Sequence, residues 1–231
     1  QLKLVVYDIA AKKVRKKVTS VTSKQCVGSI SLKGVDYLVA ASKRKVFFVS
    51  TKTREGPKFV SDVGTISCLS VHQERGLVLT GHEHGEICIW HDIPKWVEST
   101  SKRRGSSGKK KSKKDKDHKN GDDDESDDQF KAPVMTLMHW HSHCLRSLSF
   151  SNDGSYAYSG GEEGVLVMWQ LATGIKSFVP RMGGTIGQVS ADLYGASMKV
   201  AVTTLDNTVH IVDVSKMREE WAVQSLLLSS S

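Results

Sequence analysis

His141, Ser159, Glu163 and Trp169 stand within one stretch of sequence and offer an imidazole, a hydroxyl, a carboxylate and an indole N–H. A serine served by a histidine and an acid can act as a nucleophile in acyl transfer. That chemistry also needs a serine held on a G-x-S-x-G elbow and an oxyanion loop, and Ser159 sits instead in Y-S-G-G. The same four groups make a structural network: the indole donates to the hydroxyl, the hydroxyl relays to the imidazole, and the acid holds the imidazole. With neither feature present, the four are taken as this second network, a tetrad of His141, Ser159, Glu163 and Trp169 with no catalytic role.

Other groups with chemical potential fit their surroundings less well. His139, His141 and His143 alternate in MHWHSH, and on an extended strand they would share one face, with Glu162 available as a fourth zinc ligand. His141 already has the tetrad role, and a turn expected at Ser142 breaks the alternation, so no metal is assigned. Cys26, Cys68, Cys88 and Cys144 form no C-x-x-C pair, which argues against a disulfide framework or a thiolate zinc motif and for a reducing compartment, cytosol or nucleus. Gly105-x-x-Gly108-Lys109 lacks the spacing of a phosphate-binding loop. No cofactor and no small-molecule substrate follow from these residues.

The elements that must position the tetrad emerge from self-similarity. Gly64 to Asp92 and Leu145 to Gln170 share one layout: an alternating apolar run, a polar turn, and a second run ending in Thr80-Gly81 or Ser159-Gly160. Another turn then leads to an apolar run closing on Trp90 or Trp169. Weaker copies close on Val49 and Val212, and the opening LKLVVYD matches only a closing strand. Closing positions lie 43 residues apart from Val6 to Val49, 41 from Val49 to Trp90, and 43 from Trp169 to Val212. This matches the period of about 40–45 residues of four-stranded propeller blades. From Trp90 to Trp169 is 79 residues, one period plus an insertion of about 37. Six residues before each closing residue, where WD repeats carry an acid, stand His84, Glu163 and Asp206, and Thr80 and Ser159 stand four residues before that in the first two. With His141 four residues before Leu145, the set His141, Ser159, Glu163 and Trp169 resembles the hydrogen-bond tetrad of such repeats.

The expected fold is therefore all-β, a WD-repeat β-propeller of which about four blades are present, with a long disordered charged insertion. Val165, Val167 and Trp169 fall on one side of their strand and Leu166 and Met168 on the other, so this strand should lie between two neighbouring blades. The expected layout is blades over 1–97, the first incomplete, an insertion over 98–131, blades over 132–217, and the start of a connection or a further blade over 218–231. The count is one closing strand, three complete or nearly complete blades, and a fourth following Pro133, where the insertion rejoins. Gln1 to Tyr7 reads as mid-strand rather than as a signal peptide, so the chain is read as a piece of something longer. No run of 18 apolar residues exists, so no helical membrane span is expected.

Charge is unevenly placed. Residues 1–60 carry 14 Lys/Arg against 3 Asp/Glu, while the net charge of the whole chain is +8. Lys12, Lys13, Arg15, Lys16 and Lys17, with Lys43, Arg44 and Lys45, form basic runs that suit non-specific phosphate contact and are candidate RNA contacts. The insertion holds Lys102, Arg103, Arg104, Lys109, Lys110, Lys111, Lys113 and Lys114 before an acidic run from Asp122 to Asp128. With almost no apolar residues it should not order itself, and its basic half is a candidate localisation signal.

One segment is more specific than a generic repeat. LMHWHSHCLRSLSFSNDGSYAYSGGEEGVLVMWQ, with F-x-P-R-x-G-x-x-I after it, resembles the WD repeat-containing protein 75 family, as does CLSVHQERGLVLTGHEHGEICIWHDI before it. The resemblance covers roughly 60–215. It implies a non-catalytic nucleolar scaffold of the UtpA (t-UTP) subcomplex of the small-subunit processome. Its implied role is 18S maturation and support of RNA polymerase I transcription, assembled on nascent pre-ribosomal RNA. The implied partners are other UtpA subunits and WD-repeat proteins, pre-rRNA, and the U3 small nucleolar RNA particle. The competing reading is a protein-interaction adaptor, such as a histone- or degron-reading propeller.

Overall fold

In the computed structural model, residues 2–21, 26–32, 34–52, 57–106, 133–179, 181–191 and 198–224 are described. β1 (Leu2–Asp8) and β2 (Lys13–Val21) form a two-stranded antiparallel sheet. Four four-stranded sheets follow, each an antiparallel meander in chain order. Blade I is β3 (Val27–Leu32), β4 (Val35–Ser42), β5 (Lys45–Ser50) and β6 (Lys58–Ser61). Blade II is β7 (Ile66–His72), β8 (Leu77–His82), β9 (Glu86–Trp90) and, beyond helix α1 (Ile93–Ser106), β10 (Met135–His139). Blade III is β11 (Leu145–Phe150), β12 (Tyr156–Gly161), β13 (Leu166–Gln170) and β14 (Lys176–Val179). Blade IV is β15 (Ile186–Ala191), β16 (Lys199–Thr204), β17 (Thr208–Asp213) and β18 (Arg218–Gln224). Among the described residues no helix is long and apolar enough to cross a membrane.

Because side chains alternate along a strand, each central blade is apolar on both faces and seals a core against each neighbour. Val46 and Phe48 of blade I meet Val78, Cys88 and Trp90 of blade II. Leu79, Ile87 and Ile89 on the other face of blade II meet Leu145, Leu148, Val167 and Trp169 of blade III. Tyr158 and Leu166 then meet Val200, Val202 and Val212 of blade IV. Val49, Trp90 and Val212, the closing positions, are all buried. The glycine after Thr80 or Ser159 has a packing reason. A Cβ on Gly160 would stand 2.6 Å from the Ile186 side chain, and one on Gly81 3.1 Å from that of Leu148, so the next blade's inner strand fits only where a side chain is missing. Ser147 and Ser149 fasten the same joint, their hydroxyl oxygens accepting the Val189 and Ala191 amides.

Three expectations change. The stretch after Pro133 does not open a blade: β10 pairs with β9 as the outer strand of blade II, and blade III begins at Leu145. Residues 218–224 are neither a connection nor a further blade but β18, the outer strand of blade IV. The insertion is not disordered from 98 onward, because α1 runs to Ser106. Ile93, Trp96, Val97 and Thr100 recur at helical spacing and are all buried. Trp96 meets Phe48 edge-on with ring centroids 5.5 Å apart, and Lys58 Nζ donates to the Val97 carbonyl at 2.6 Å. Residues 107–132 lie outside the described residues.

Candidate functional site

Blade III brings its four sequence-derived residues into one chain of hydrogen bonds. Trp169 Nε1 donates to Ser159 Oγ at 2.8 Å, and that hydroxyl reaches His141 Nε2, also at 2.8 Å. His141 Nδ1 faces Glu163 Oε2 at 3.2 Å, and Glu163 Oε1 accepts the Ser142 and His143 amides at 2.7 Å each. The network ties strands β12 and β13 to the loop entering β11. Ser159 and His141 are 0% exposed, so the hydroxyl that a hydrolase would need at its surface is sealed inside the blade. The three alternating histidines are not one face: β10 stops at His139, His141 is buried, and the side chain of His143 is 65% exposed.

Burial pushes the His141 imidazole below its ordinary range and outweighs the charge and hydrogen bond of Glu163. Burial alone would raise the Glu163 carboxyl, but backbone amides and His141 hold it below the usual carboxylate range. Both depressed values act in one direction. As pH falls through about 6.5 the unfolded chain protonates histidine first, and as it falls further Glu163 loses its stabilising anion. The thermal midpoint should therefore drop between about pH 7.5 and 5.5, less steeply in His141→Gln than in the parent. Equal slopes in the two proteins would remove this site as the cause.

Blade II builds a related network from residues the sequence reading did not assemble. Trp90 Nε1 donates to Thr80 Oγ1 at 3.2 Å, and Thr80 donates to Asp62 Oδ2 at 2.6 Å. Asp62 stands four residues before Ile66, as His141 stands four before Leu145, so an acid replaces the histidine. The histidine is His82, which occupies the place of Gly161 in blade III. His84, at the usual acid position, offers its backbone carbonyl to His139 instead. In blade IV the positions of Ser159 and Trp169 hold Val202 and Val212, both buried, and a separate set joins Thr204, His210 and Glu219. Asp206 bonds Thr204 and the Thr208 amide.

The basic candidates are dispersed. Lys12 and Lys13 are exposed at the β1–β2 turn, and Lys43, Arg44 and Lys45 are exposed at the β4–β5 turn. Arg44 donates to the Val63 carbonyl at 2.8 Å, and Lys45 Nζ lies 4.6 Å from the Phe59 ring centre, so both already have intramolecular work. The side chains of Arg15, Lys16 and Lys17, and of Lys102, Arg103 and Arg104 at the end of α1, lie outside the described residues, as do Lys109, Lys110, Lys111, Lys113 and Lys114 entirely.

The family model for the WD domain, G-beta repeat, matches residues 131–170, which span β10 to β13. A solved chain of the mitotic checkpoint complex superposes with a TM-score of 0.64 over 96% of this chain and 58% of its own, at 12% identity, and this likeness shows the fold alone. The fold is a WD-repeat β-propeller. WD repeat-containing protein 75 of Xenopus laevis is 26% identical over 205 residues, 88% of this chain. U3 small nucleolar RNA-associated protein 17 of Schizosaccharomyces pombe is 32% identical over 111 residues, 44% of this chain and 14% of that protein. WD repeat-containing protein 75 of Homo sapiens is 29% identical over 130 residues, 56% of this chain. The chain spans 20% of the length of the Xenopus protein. The blade III tetrad, His141 to Trp169, lies inside the segment matched by the WD-domain model.

Proposed function

We propose that the chain is part of a non-catalytic propeller scaffold in ribosome biogenesis, working in the nucleus and nucleolus. Within the small-subunit processome it serves with other UtpA subunits on nascent pre-rRNA, supporting 18S maturation and RNA polymerase I transcription. The observation that carries the reading is the similarity to WD repeat-containing protein 75 and to a protein named for U3 small nucleolar RNA. The sealed Ser159 and His141 support a structural use of the tetrad. The basic runs of residues 1–60 support contact with a phosphate-rich partner.

The test is the salt dependence of binding to pre-ribosomal RNA by the full-length protein. Each phosphate contact contributes about 0.7–0.9 to the log–log slope. Replacing Lys12, Lys13, Lys16 and Lys17 with Ser should flatten that slope by roughly two to four units without changing sequence preference. An unchanged slope would strike Lys12, Lys13, Arg15, Lys16, Lys17, Lys43, Arg44 and Lys45 as RNA contacts and favour a protein-only adaptor. Replacing Lys109, Lys110, Lys111, Lys113 and Lys114 with Gln should reduce nucleolar accumulation of a folded protein. Unaltered accumulation would strike the localisation role.

A further inference from the structure

Blade II carries a second feature beyond its tetrad. Asp62 precedes β7, His82 ends β8 and Cys88 lies in β9, so three separate segments bring a carboxylate, an imidazole and a thiol together. Their ligand atoms all lie within 4.8 Å of one another, and all three residues are buried. We propose that Asp62, His82 and Cys88 bind a zinc ion inside blade II.

The tautomer of His82 carries the argument. Its Nδ1 is 2.9 Å from the Glu86 carbonyl, which can only accept, so Nδ1 holds a hydrogen. In the neutral ring Nε2 is then a lone pair, and it points at another acceptor, Asp62 Oδ1, at 3.1 Å. That contact lacks hydrogen-bond geometry. Among the described residues only His82 Nε2 and Glu86 Oε2 are buried side-chain nitrogen or oxygen atoms without a hydrogen-bond partner, and both belong to this corner of the blade. With the ring neutral, two lone pairs face each other across 3.1 Å, and a cation bound between them resolves the contact. A zinc ion with bonds of about 2.0–2.1 Å to N and O spaces its ligands about 3.3 Å apart, close to the Asp62–His82 separation.

The surroundings already orient such ligands. An imidazole whose Nδ1–H is held by a backbone carbonyl presents Nε2 to a metal. Thr80 donates to Asp62 Oδ2 and the Val63 amide to Oδ1 at 2.7 Å, which fixes the carboxylate. A carboxylate, a thiolate and a neutral imidazole balance a divalent ion, and a neutral site suits a buried place. Sulfur and imidazole donors select zinc over magnesium or calcium. Cys88 would bind as the thiolate, its proton displaced by the metal. Blade III, which has His141, Gly161 and Val167 at the three corresponding places, cannot form the site.

The full-length protein should retain about one equivalent of zinc after purification, and its cobalt form should show sulfur-to-metal charge-transfer absorption. Cys88→Val, which installs the residue blade III uses there, should keep the circular dichroism of the parent, lose the band, and weaken zinc binding by at least about 10–100-fold. A parent protein without zinc and without the cobalt band would overturn the proposal. So would a band that persists in folded Cys88→Val, since it would come from another thiol. Should Cys88→Val fail to fold, the parent decides: alkylation of the half-buried Cys144 must leave the cobalt band intact, and its loss would overturn the assignment.

Discussion

Trp169→Ala is expected to destabilise the chain by about 3–5 kcal/mol, enough to unfold a domain of ordinary marginal stability. Trp169 is 2% exposed and fills the core between blades II and III beside Leu145, Leu148 and Ala157. Lys176 Nζ sits 5.6 Å from the centre of its ring and would lose that partner too. Truncation leaves a cavity that β-strands cannot collapse to fill, because the sheet hydrogen bonds fix their spacing. It also removes the donor to Ser159, at the head of the relay through His141 to Glu163. Trp169→Phe separates the two effects: it keeps most of the volume, loses the N–H, and should cost about 1–2 kcal/mol. Denaturant unfolding of both variants measures the difference. An unaltered melting curve for Trp169→Ala would contradict the role given to this residue in the blade III core.

The network around Trp169 was legible because every member follows the repeat's own spacing. The strands were legible for the same reason: with apolar residues on both faces and a period of about 42, Leu166 and Met168 could be given to one neighbour and Val167 and Trp169 to the other. Blade II shows where that reasoning stops. Spacing located Thr80 and Trp90 but put a histidine, His84, where an acid was wanted. The acid is Asp62 and the histidine is His82, and only the fold reveals the exchange, since Asp62 reaches Thr80 across the gap between β6 and β8. Its position four residues before Ile66 was the available signal. In blade IV the closing Val212 was legible, but the pairing of His210 with Glu219 depended on β18, which sequence had left outside the blade.

The charged insertion hid the other misreading, and it leads to the second large effect. Charge dominates the composition from Glu98 onward, yet Ile93, Trp96, Val97 and Thr100 already mark one helical face before and across that boundary. The face closes the outer end of the core between blades I and II, where Trp96 is 7% exposed against Phe48. Trp96→Ala should therefore cost about 3–5 kcal/mol, comparable to a core tryptophan of the sheets. It should also loosen the seat of Lys58, whose ammonium is hydrogen-bonded to the Val97 carbonyl inside the protein. Removal of residues 107–131 should leave stability within about 1 kcal/mol, because loop length enters closure entropy only logarithmically. Removal of 93–131 takes the helix away and should destabilise at least as much as Trp96→Ala, since it also uncovers Phe48 and removes the Val97 carbonyl to which Lys58 donates. The two deletions differ by only 14 residues, Ile93 to Ser106. Equal melting temperatures for the two would show that α1 contributes nothing to the blade I–II core. A gap of the predicted size would show that residues 93–106 belong to the folded core between blades I and II rather than to the insertion.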